Sequence, residues 1–394
     1  MNILYTGAFR FPIGDAASQR VLNNAKILRE LGHEVTFISF GGNTQDADKY
    51  QDGAYYYQGF KFIISEDIDV RVGNSFKRLL NFFLTGKNSL RILKKKIQEI
   101  DVIIAYNPPM YFTSRLMRTC KKNGIYFVSD VTEWFDSNEF PGGKFAPPAW
   151  VNNLNMKLTQ RRVKNKILIS SYLNSFYNSS NNIVLPPLVD STDPKWSELT
   201  RVLPDFDGVR IVYAGTPAKK DLLENIFEGV YSCLKKGIYL QFVVVGVSSE
   251  EIAHYTNYKK VMSFPDNIIF CGRIKQTEVP SYYNVSDFSI IVRENSRKSM
   301  AGFPTKLVES MMAGRPILLN YTSDMDKYII DGQNGFILPN WTSLELQKML
   351  SRLVKLSRDD IEEMKTKALQ CGLEKFNYRA YINQMEVFIN NLKF

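Results

Sequence analysis

Three polar residues within one short stretch can bind a ligand that carries both phosphate and sugar hydroxyls. The stretch AGFPTKLVESMMAGRPILLN, residues 301–320, is typical of a loop, a helix and a strand in immediate succession. Thr305 and Lys306 lie near the predicted helix start, where a hydroxyl, backbone N–H groups and an ammonium can bind phosphate. Glu309 lies one turn further along and can accept two hydrogen bonds from ribose hydroxyls. The alternative is that Glu309 is an exposed helix acid and Lys306 its ion-pair neighbour.

A second anion site is predicted in the sequence GTPAKKD, residues 215–221. Thr216, Lys219 and Lys220 precede a predicted helix. Backbone donors at the helix start and the lysine cations can together offset the charge of a diphosphate. A lysine pair at a helix start can equally form a solvated face, so this loop by itself leaves both interpretations open.

The elements that position these residues follow an alternation of short apolar runs with helical periodicity, which is typical of βα units in a parallel sheet. Prolines and acidic turn residues between residues 185 and 207 indicate a hinge. We therefore predict an α/β fold with two Rossmann-like, doubly wound domains facing a central cleft, at residues 1–195 and 196–375, and a C-terminal helix, 376–394, packing back on the first. Predicted strands cover residues 3–5, 35–40, 102–105, 125–129 and 167–169 in the first half, and 211–214, 242–245, 268–270, 288–292 and 317–319 in the second.

Composition excludes several classes of protein and leaves others open. The four cysteines are scattered singly and the chain has two histidines, so a zinc site is not expected. No apolar run reaches membrane-spanning length and no secretory signal is visible, so we expect a cytoplasmic protein. The net charge of +10 favours anionic partners, although no nucleic-acid recognition motif accompanies it.

Several phrases, in this order and spacing, resemble the family-4 group of GT-B glycosyltransferases over nearly the whole chain. They are LRELGHEVTFIS (28–39), VLPPLVD (184–190), YAGTPAKKD (213–221), FCGRI (270–274), FPTKLVESMMAGRPIL (303–318) and YIIDGQNGFIL (328–338). The resemblance implies two Rossmann-like halves. It also implies transfer of a sugar from a nucleotide-diphosphate sugar, with UDP favoured, to a glycan acceptor.

The resemblance also assigns roles to matching positions. Lys219, Lys220 and Lys306 would contact the donor diphosphate, and Glu309 would bind the ribose. The backbone of Gly272, Arg273 and Ile274 would hold the base, with Leu307 beside it. Gly14 would let the first loop approach the donor closely, and Arg20 is a candidate for binding the acceptor or a phosphate.

Three departures from the family pattern have consequences for the site. The acid expected eight residues before Glu309 is Ala301, so backbone groups of residues 301–303 or Glu294 would have to replace it. Thr216 occupies the place of an arginine in the diphosphate loop, and Arg293, or else Arg273, would supply that charge.

The third departure concerns the first domain. A histidine expected after a central strand is Asp130, so Asp130 or Glu133 would orient the sugar or act in catalysis, beside Lys220.

The implied reaction retains the anomeric configuration and needs no metal or other cofactor. The acidic triplets at 67–69, 205–207 and 324–326 resemble a metal-binding pattern of another glycosyltransferase fold, but none follows a suitable strand. A nucleotide-sugar 2-epimerase and a catalytically silent glycan- or membrane-binding partner are the alternatives. An epimerase would need a cluster of acids and bases that the sequence does not display.

Residues 71–98 form a basic segment without one acid, containing Arg71, Lys77, Arg78, Lys87, Arg91 and Lys94 to Lys96. Phe76, Leu79, Leu80, Phe83 and Leu84 fall on one helical face. The segment can therefore lie on an anionic bilayer, or pack its apolar stripe on the domain core. The membrane interpretation implies a lipid-diphosphate-linked glycan acceptor in capsule, O-antigen or related polysaccharide assembly, and a peripheral location at the inner face of the plasma membrane.

Overall fold

A computed structural model describes residues 1–67, 81, 83–140, 142–216, 221–254 and 264–394. The chain divides into two units. Unit 1 comprises Met1–Val189, Ala301–Phe303 and Tyr378–Phe394, and unit 2 comprises Asp190–Met300 and Pro304–Asn377. The chain thus passes from unit 1 to unit 2 inside the proline-rich stretch predicted as the hinge. That stretch contains a single 3₁₀ turn, Pro194–Trp196, and no α-helix among its residues.

Unit 1 is built on a sheet whose strand order among the described residues is β3-β4-β5-β2-β1-β6-β7-β8-β9. The strands are β1 (Asn2–Phe11), β2 (Glu34–Gly42), β3 (Lys49–Gln51), β4 (Ala54–Tyr57), β5 (Phe60–Ile64), β6 (Val102–Tyr106), β7 (Tyr126–Val131), β8 (Asn165–Leu168) and β9 (Asn181–Val184). The five strands predicted in this half are all present. The sheet is not entirely parallel, because β3 and β4, and β4 and β5, pair antiparallel. The predicted strands do not include β3 and β4, because these strands are short and lack a clear apolar run.

The helices of unit 1 cover both faces of this sheet. They are α1 (Ala16–Glu30), α2 (Lys87–Lys96), α3 (Met110–Asn123), α4 (Pro147–Leu154), α5 (Ser171–Tyr177) and, at the chain end, α12 (Ile382–Asn390). Alternate residues of the strands enter two separate cores: Ile3 and Tyr5 lie in one, while Leu4 lies in the other. Successive side chains of a strand point to opposite faces of the sheet. A strand whose side chains are buried on both faces is therefore covered by helices on both faces.

Helix α1 shows how local sequence sets the first βαβ unit. Asp15 caps its start, accepting a hydrogen bond of 2.9 Å from the Ser18 N–H. Val21, Ala25 and Leu28 recur at helical spacing and are fully buried. Gly32 follows the last turn with a φ of +78°, a left-handed conformation that favours glycine and ends the helix. The chain then enters β2, which pairs parallel with β1.

Unit 2 is built on a sheet with the order β12-β11-β10-β13-β14-β15, in which every recorded pairing is parallel. Its strands are β10 (Val209–Ala214), β11 (Leu240–Val245), β12 (Ile268–Gly272), β13 (Phe288–Ile291), β14 (Ile317–Leu319) and β15 (Gly335–Ile337). The five strands predicted for this half are present, and β15 is additional. All six residues of β10 are buried, with Ile211 and Tyr213 in one core and Val212 and Ala214 in the other. The two-sided core confirms a second Rossmann-like unit.

One helix of unit 2 begins within the segment 301–320, which contains the predicted phosphate- and ribose-binding residues. The helices of unit 2 are α6 (Leu223–Lys235), α7 (Val279–Asn284), α8 (Arg297–Ala301), α9 (Thr305–Met312), α10 (Ser343–Leu353) and α11 (Arg358–Lys375). Helix α8 ends in Ala301, a residue grouped with unit 1. The sequence 301–320 forms the predicted loop, helix and strand, since α9 is followed directly by β14.

The chain end returns to unit 1. Met385, Phe388 and Ile389 of α12 are buried in the core that also contains Ile3 and Val21. The backbone N–H of Tyr378 donates to the Val189 carbonyl at 3.0 Å, and the Tyr378 hydroxyl donates to Glu30 at 3.1 Å. These contacts place residues 378–394 in unit 1.

Candidate functional site

The carboxyl edge of the unit 2 sheet carries glycines at the ends of three adjacent strands. Gly215 follows β10, Gly246 follows β11, and Gly272 ends β12, and all three have positive φ angles. The Gly215 N–H donates to the Val245 carbonyl at 2.9 Å, and the Gly246 N–H donates to the Gly272 carbonyl at 2.7 Å. A Cβ on Gly246 would lie 2.6 Å from the carbonyl carbon of Gly215. The three turns therefore pack backbone against backbone.

Next to these glycines, two cations and one carboxylate form a buried cluster. Arg293, just after β13, binds the Asp221 carboxylate through its Nε at 2.8 Å, and Lys306 Nζ contacts the other oxygen of that carboxylate. The hydroxyl of Tyr213 donates to Asp221 at 2.9 Å and accepts from Lys306 at 2.6 Å. Burial by itself would raise the pKa of Asp221, but Arg293 and Lys306 together hold it well below its ordinary value. The cluster therefore carries one net positive charge.

Lys306 also lies directly against the first glycine. A Cβ on Gly215 would lie 2.6 Å from Lys306 Cε, and the ammonium lies 4.1 Å from the centre of the Tyr213 ring. Asp221 and Tyr213 hold the ammonium at the end of β10, and the side chain is 13% exposed. Lys306 is thus a fixed cation beside bare backbone, an arrangement suited to a phosphate group. Its ion pair is with Asp221.

Glu309 lies one turn beyond Lys306 on α9 and is partly buried. Burial raises its pKa above the ordinary value, while Lys195 and Lys306 and a hydrogen bond from Gln276 act in the opposite direction. A partly buried carboxylate near two lysines is suited to accept hydrogen bonds from paired hydroxyls. Thr305 begins α9, whose described N-cap residue Pro304 offers no side-chain cap, and the Leu307 N–H donates to the Pro304 carbonyl at 3.2 Å.

Other predicted donor residues occupy the same edge with differing exposure. Thr216 is exposed after β10, while Lys219 and Lys220 lie outside the described residues. Arg273 is exposed and pairs with Glu251 at 2.9 Å, and Ile274 is partly buried. The Leu307 side chain is fully buried, so it can flank a ligand only through its backbone.

Arg293, predicted to supply the charge of the missing arginine, is buried against Asp221. Its side chain is 5% exposed and its Nε is bound by Asp221. The Asn320 side chain bonds both the N–H and the carbonyl of Arg293, at 2.9 and 2.7 Å. Arg293 therefore stabilises Asp221 and the turn after β13, while Glu294 beside it is exposed.

In unit 1, the predicted catalytic Asp130 and the predicted acceptor-binding Arg20 are partners of each other. Both Nε and Nη2 of Arg20 bind Asp130, the latter at 2.8 Å, and neither side chain is more than 3% exposed. The Tyr5 hydroxyl donates to Asp130 at 2.5 Å, and Arg20 also donates to the Leu185 carbonyl at 2.9 Å. Burial, and then Asp130, raise the pKa of Tyr5 well above its ordinary value. This network joins β1, α1, β7 and Leu185, the residue after β9.

Two other predicted residues of unit 1 lie nearer the surface. Glu133 follows β7 and is partly buried, so it is the more accessible of the two candidate carboxylates. Gly14 is exposed, and a Cβ there would lie 3.3 Å from the Arg10 Cβ. Ala301 to Phe303, predicted to replace an acid by their backbone, are grouped with unit 1, where the Ser170 hydroxyl donates to the Ala301 carbonyl at 2.8 Å.

Asp221 and Tyr213 are the site residues that sequence reasoning missed. Asp221 was visible as the acid that closes the basic loop GTPAKKD. Its partners, Arg293 and Lys306, lie far away in the sequence, so nothing local indicated that this acid would neutralise one of them.

Comparison with known proteins identifies the class of the chain. Residues 208–356, which lie in unit 2 apart from Ala301–Phe303, match the family model of glycosyl transferases group 1. The chain is a glycosyltransferase. A relative by sequence is the alpha-monoglucosyldiacylglycerol synthase of Acholeplasma laidlawii, which is 21% identical over 350 residues, 82% of this chain and 81% of that protein.

Solved structures show that this glycosyltransferase has the GT-B fold. Anabaena HepE, in complex with UDP and glucose, superposes with a TM-score of 0.71 at 13% identity, covering all of both chains. The catalytic domain of starch synthase IV from Arabidopsis thaliana, bound to ADP and acarbose, superposes with a TM-score of 0.69 at 13% identity, covering 98% of each chain. The fold predicted from the sequence resemblance is confirmed.

Within the parts of the glycosyltransferase that the structure describes, two kinds of feature are absent. No helix there is long and apolar enough to cross a bilayer. No group of three or more His, Cys, Asp or Glu side chains there is placed to hold a metal ion. Asp67, from one of the acidic triplets, instead caps α2 by accepting from the N–H groups of Asn88 and Ser89, at 2.9 and 2.7 Å.

Proposed function

We propose that the protein transfers a hexosyl or N-acetylhexosaminyl residue from a UDP-sugar to a lipid-linked glycan acceptor. The observation that carries the donor assignment is the fixed Lys306 ammonium beside Gly215, with Glu309 one turn away. The ammonium and the positive end of α9 match a diphosphate, and Glu309 matches the ribose hydroxyls. HepE, which has the same fold, binds UDP and glucose in its crystal structure, and this supports UDP as the nucleotide.

The proposed reaction retains configuration and uses no metal. The bond from the anomeric carbon to the diphosphate oxygen breaks, and a bond from the acceptor oxygen to that carbon forms on the same face. The acceptor proton passes to the departing phosphate. Lys306 and the start of α9 stabilise the charge on the leaving diphosphate, which is the largest electrostatic demand of the step. We expect activity to survive thorough chelation of divalent ions.

The proposed lipid-linked acceptor is supported by a sequence relative and by the charge of the basic segment 71–98. The name of the Acholeplasma relative describes the synthesis of a glycosylated lipid, which supports a lipid acceptor. A lipid-diphosphate-linked glycan of a bacterial surface polysaccharide, such as capsule or O-antigen, fits a cytoplasmic enzyme at the inner face of the plasma membrane. Helix α2 forms part of the basic segment 71–98. In this helix Leu90 and Leu93 are buried in the core, while Lys94 and Lys95 are exposed. This helix can add charge to a membrane contact but not apolar anchoring. Residues 71–80 and 82 lie outside the described residues.

A nucleotide panel tests the donor assignment. Isothermal calorimetry with UDP, GDP, ADP and their glucose conjugates should show tightest binding for the UDP series. Lys306→Ala should weaken UDP binding, whereas Lys348→Ala, which removes an exposed lysine from a different helix of unit 2, should not. Equal affinity for all nucleotides would remove the UDP assignment. Unchanged binding by Lys306→Ala would remove the site.

Product analysis tests the reaction. Incubation with a UDP-sugar and extracted membrane lipids should give a glycolipid whose anomeric configuration, read by nuclear magnetic resonance, equals that of the donor. Formation of an epimeric UDP-sugar without acceptor would indicate a 2-epimerase instead. Nucleotide binding without turnover on any lipid extract would favour a silent binding partner.

A further inference from the structure

The helix α4 and the turn after it, residues 147–159, present large apolar side chains to solvent. Trp150, Leu154 and Leu158 are 57%, 44% and 53% exposed, and they recur at a spacing of four, so they form one stripe. Phe145, in the loop just before the helix, is 82% exposed. The Trp150 Nε1 donates to the Lys144 carbonyl at 2.6 Å, which ties that loop to the helix. We call these four side chains the apolar ridge.

The buried face of residues 147–160 is mixed, with the polar Asn155, Thr159 and Gln160 beside the apolar Ala149 and Met156. Asn155 and Gln160 are at most 8% exposed, and their side-chain amides donate to the Pro108 carbonyl at 3.0 and 3.3 Å. The Ser129 hydroxyl donates to Gln160 at 2.8 Å. These hydrogen bonds orient the segment in unit 1 so that Trp150, Leu154 and Leu158 face solvent. A contiguous exposed apolar patch of this kind marks an interaction surface.

The chain that carries the apolar ridge is uniformly positive. Lys144, Lys157, Arg161 and Arg162 are exposed. Residues 140–189 contain six Lys or Arg and no Asp or Glu. An apolar stripe that includes a tryptophan is complementary to the boundary between acyl chains and anionic headgroups when cations outnumber acids beside it, and here the six cations of residues 140–189 follow two acids, Asp136 and Glu139.

We propose that the apolar ridge docks unit 1 on an anionic lipid bilayer. Trp150, Leu154 and Leu158 enter the acyl boundary while Lys144, Lys157 and Arg162 contact lipid phosphates. The ridge follows the loop that leaves the carboxyl end of β7, the loop that also carries Glu133, so docking brings the bilayer to this end of the unit 1 sheet. The inference rests on the proposed function only for the identity of the acceptor, because docking is measurable without sugar transfer.

Vesicle flotation tests the apolar contribution. The wild-type chain should float with vesicles of phosphatidylcholine and phosphatidylglycerol and remain unbound with phosphatidylcholine alone. The triple variant Trp150→Ser, Leu154→Ser, Leu158→Ser should lose at least about tenfold in partition coefficient. Leu344→Ser is the matched control, because Leu344 is also 57% exposed but lies in unit 2, and it should bind as the wild type does. Since all these side chains are exposed, the variants should keep their fold, which circular dichroism checks.

The charge contribution is measured separately. Lys144→Gln, Lys157→Gln and Arg162→Gln should each lower the partition coefficient about fivefold, and added salt should lower it further. Vesicles containing brominated lipids should quench the Trp150 fluorescence of the wild type, and this quenching should be smaller in Trp150→Phe, which keeps the apolar contact.

Three results would overturn the proposal. The first is vesicle binding that does not depend on the anionic lipid, and the second is vesicle binding that the triple serine variant retains. The third is a triple serine variant that loses self-association but not vesicle binding, which would make the ridge an interface between copies of this chain. Calorimetry with UDP on the same variants separates this inference from the donor site. Intact UDP binding with lost flotation supports docking. Lost UDP binding in the wild type would defeat the donor proposal and leave docking standing.

Discussion

At the scale of single residues, Asp221 determines the electrostatics of the proposed donor site. Two cations without an anion would repel each other and remain poorly solvated at this depth. Asp221 bonds both, and the Tyr213 hydroxyl completes the arrangement. The result is a lysine whose position is set before any ligand arrives, which lowers the entropy lost when a diphosphate binds.

Replacing Asp221 by Asn should destabilise the protein by about 3–5 kcal/mol, because Arg293 and Lys306 then lack their buried partner. Chemical denaturation followed by circular dichroism measures this. Asp205→Asn is the control, since the Arg201–Asp205 pair is exposed on both sides and its loss should be barely measurable.

The stability difference between the wild type and Asp221→Asn has a defined pH dependence. Because the folded pKa of Asp221 is lowered, its contribution to stability is present above its unfolded pKa of about 3.9 and is lost only as the pH falls through the lower folded value. The difference between wild type and Asp221→Asn should therefore be constant at neutral pH and shrink only in strong acid. A difference that disappears between about pH 6 and pH 8 would contradict this assignment.

Glu309 should make UDP binding dependent on pH. Its raised pKa means that the carboxylate takes up a proton at a higher pH than an ordinary glutamate, whose pKa is about 4.3. A protonated carboxyl accepts hydroxyl donors poorly, so UDP affinity should begin to fall, on acidification, above that ordinary value. Glu309→Gln should weaken UDP binding about tenfold to a hundredfold at neutral pH and flatten the profile. Calorimetry at several pH values tests this, and an identical pH profile in the variant would exclude Glu309 as the titrating group.

At the scale of elements, the site depends on how three strand ends pack. The turns after β10, β11 and β12 approach each other through backbone atoms, and the approach between the first two leaves no room for a Cβ on Gly246. Helix α9 then places Lys306 against the first of these turns. Parallel strands end at the same edge of a sheet, so residues far apart in the sequence meet there.

Gly246→Ala should disrupt this packing. Its Cβ would lie 2.6 Å from the Gly215 carbonyl carbon, so the turns after β10 and β11 would have to separate. We expect a loss of more than about 2 kcal/mol in stability and of more than about tenfold in UDP affinity. Gly237→Ala is the matched control, because Gly237 also has a positive φ of +72° but a Cβ there meets no atom within 4 Å. That control should cost about 1 kcal/mol and leave UDP affinity unchanged; equal effects of the two variants would show that backbone strain alone matters.

At the scale of the whole molecule, the end of the chain completes the core of its first unit. Phe388 of α12 is 3% exposed, whereas its neighbour Val387 is 62% exposed. Phe388→Ala should therefore destabilise the protein by about 3–5 kcal/mol, while Val387→Ala should change stability little. Thermal unfolding and UDP calorimetry should show that Phe388→Ala lowers the unfolding temperature without weakening UDP binding at a temperature where the chain is folded. Equal stability of the two variants would mean that α12 contributes nothing to the core.

The two units also divide the chemistry. The cation cluster, Glu309 and the glycine turns belong to unit 2, where the family match lies. The apolar ridge and Glu133 belong to unit 1. In the proposed function, unit 2 binds the nucleotide of the donor while unit 1 meets the lipid that carries the acceptor.

The sequence by itself determined the alternation of strands and helices, the fold and the segment proposed to bind the donor. These depend on local patterns: apolar runs of strand length, a capped amphipathic α1, and the compact phrase around Lys306 and Glu309. Such signals lie within a few turns of chain, so they can be read without knowing what packs against them.

Only the tertiary structure decided which charged residues are available for chemistry. Asp130 and Arg20 lie 110 positions apart and neutralise each other, and Arg293 is bound by Asp221 from another strand end. The exposed ridge at Trp150 likewise depends on which face of its helix finds hydrogen-bond partners in unit 1. The reason is common to all three cases: burial and pairing are set by contacts between distant segments, and these contacts leave no periodicity in the local sequence.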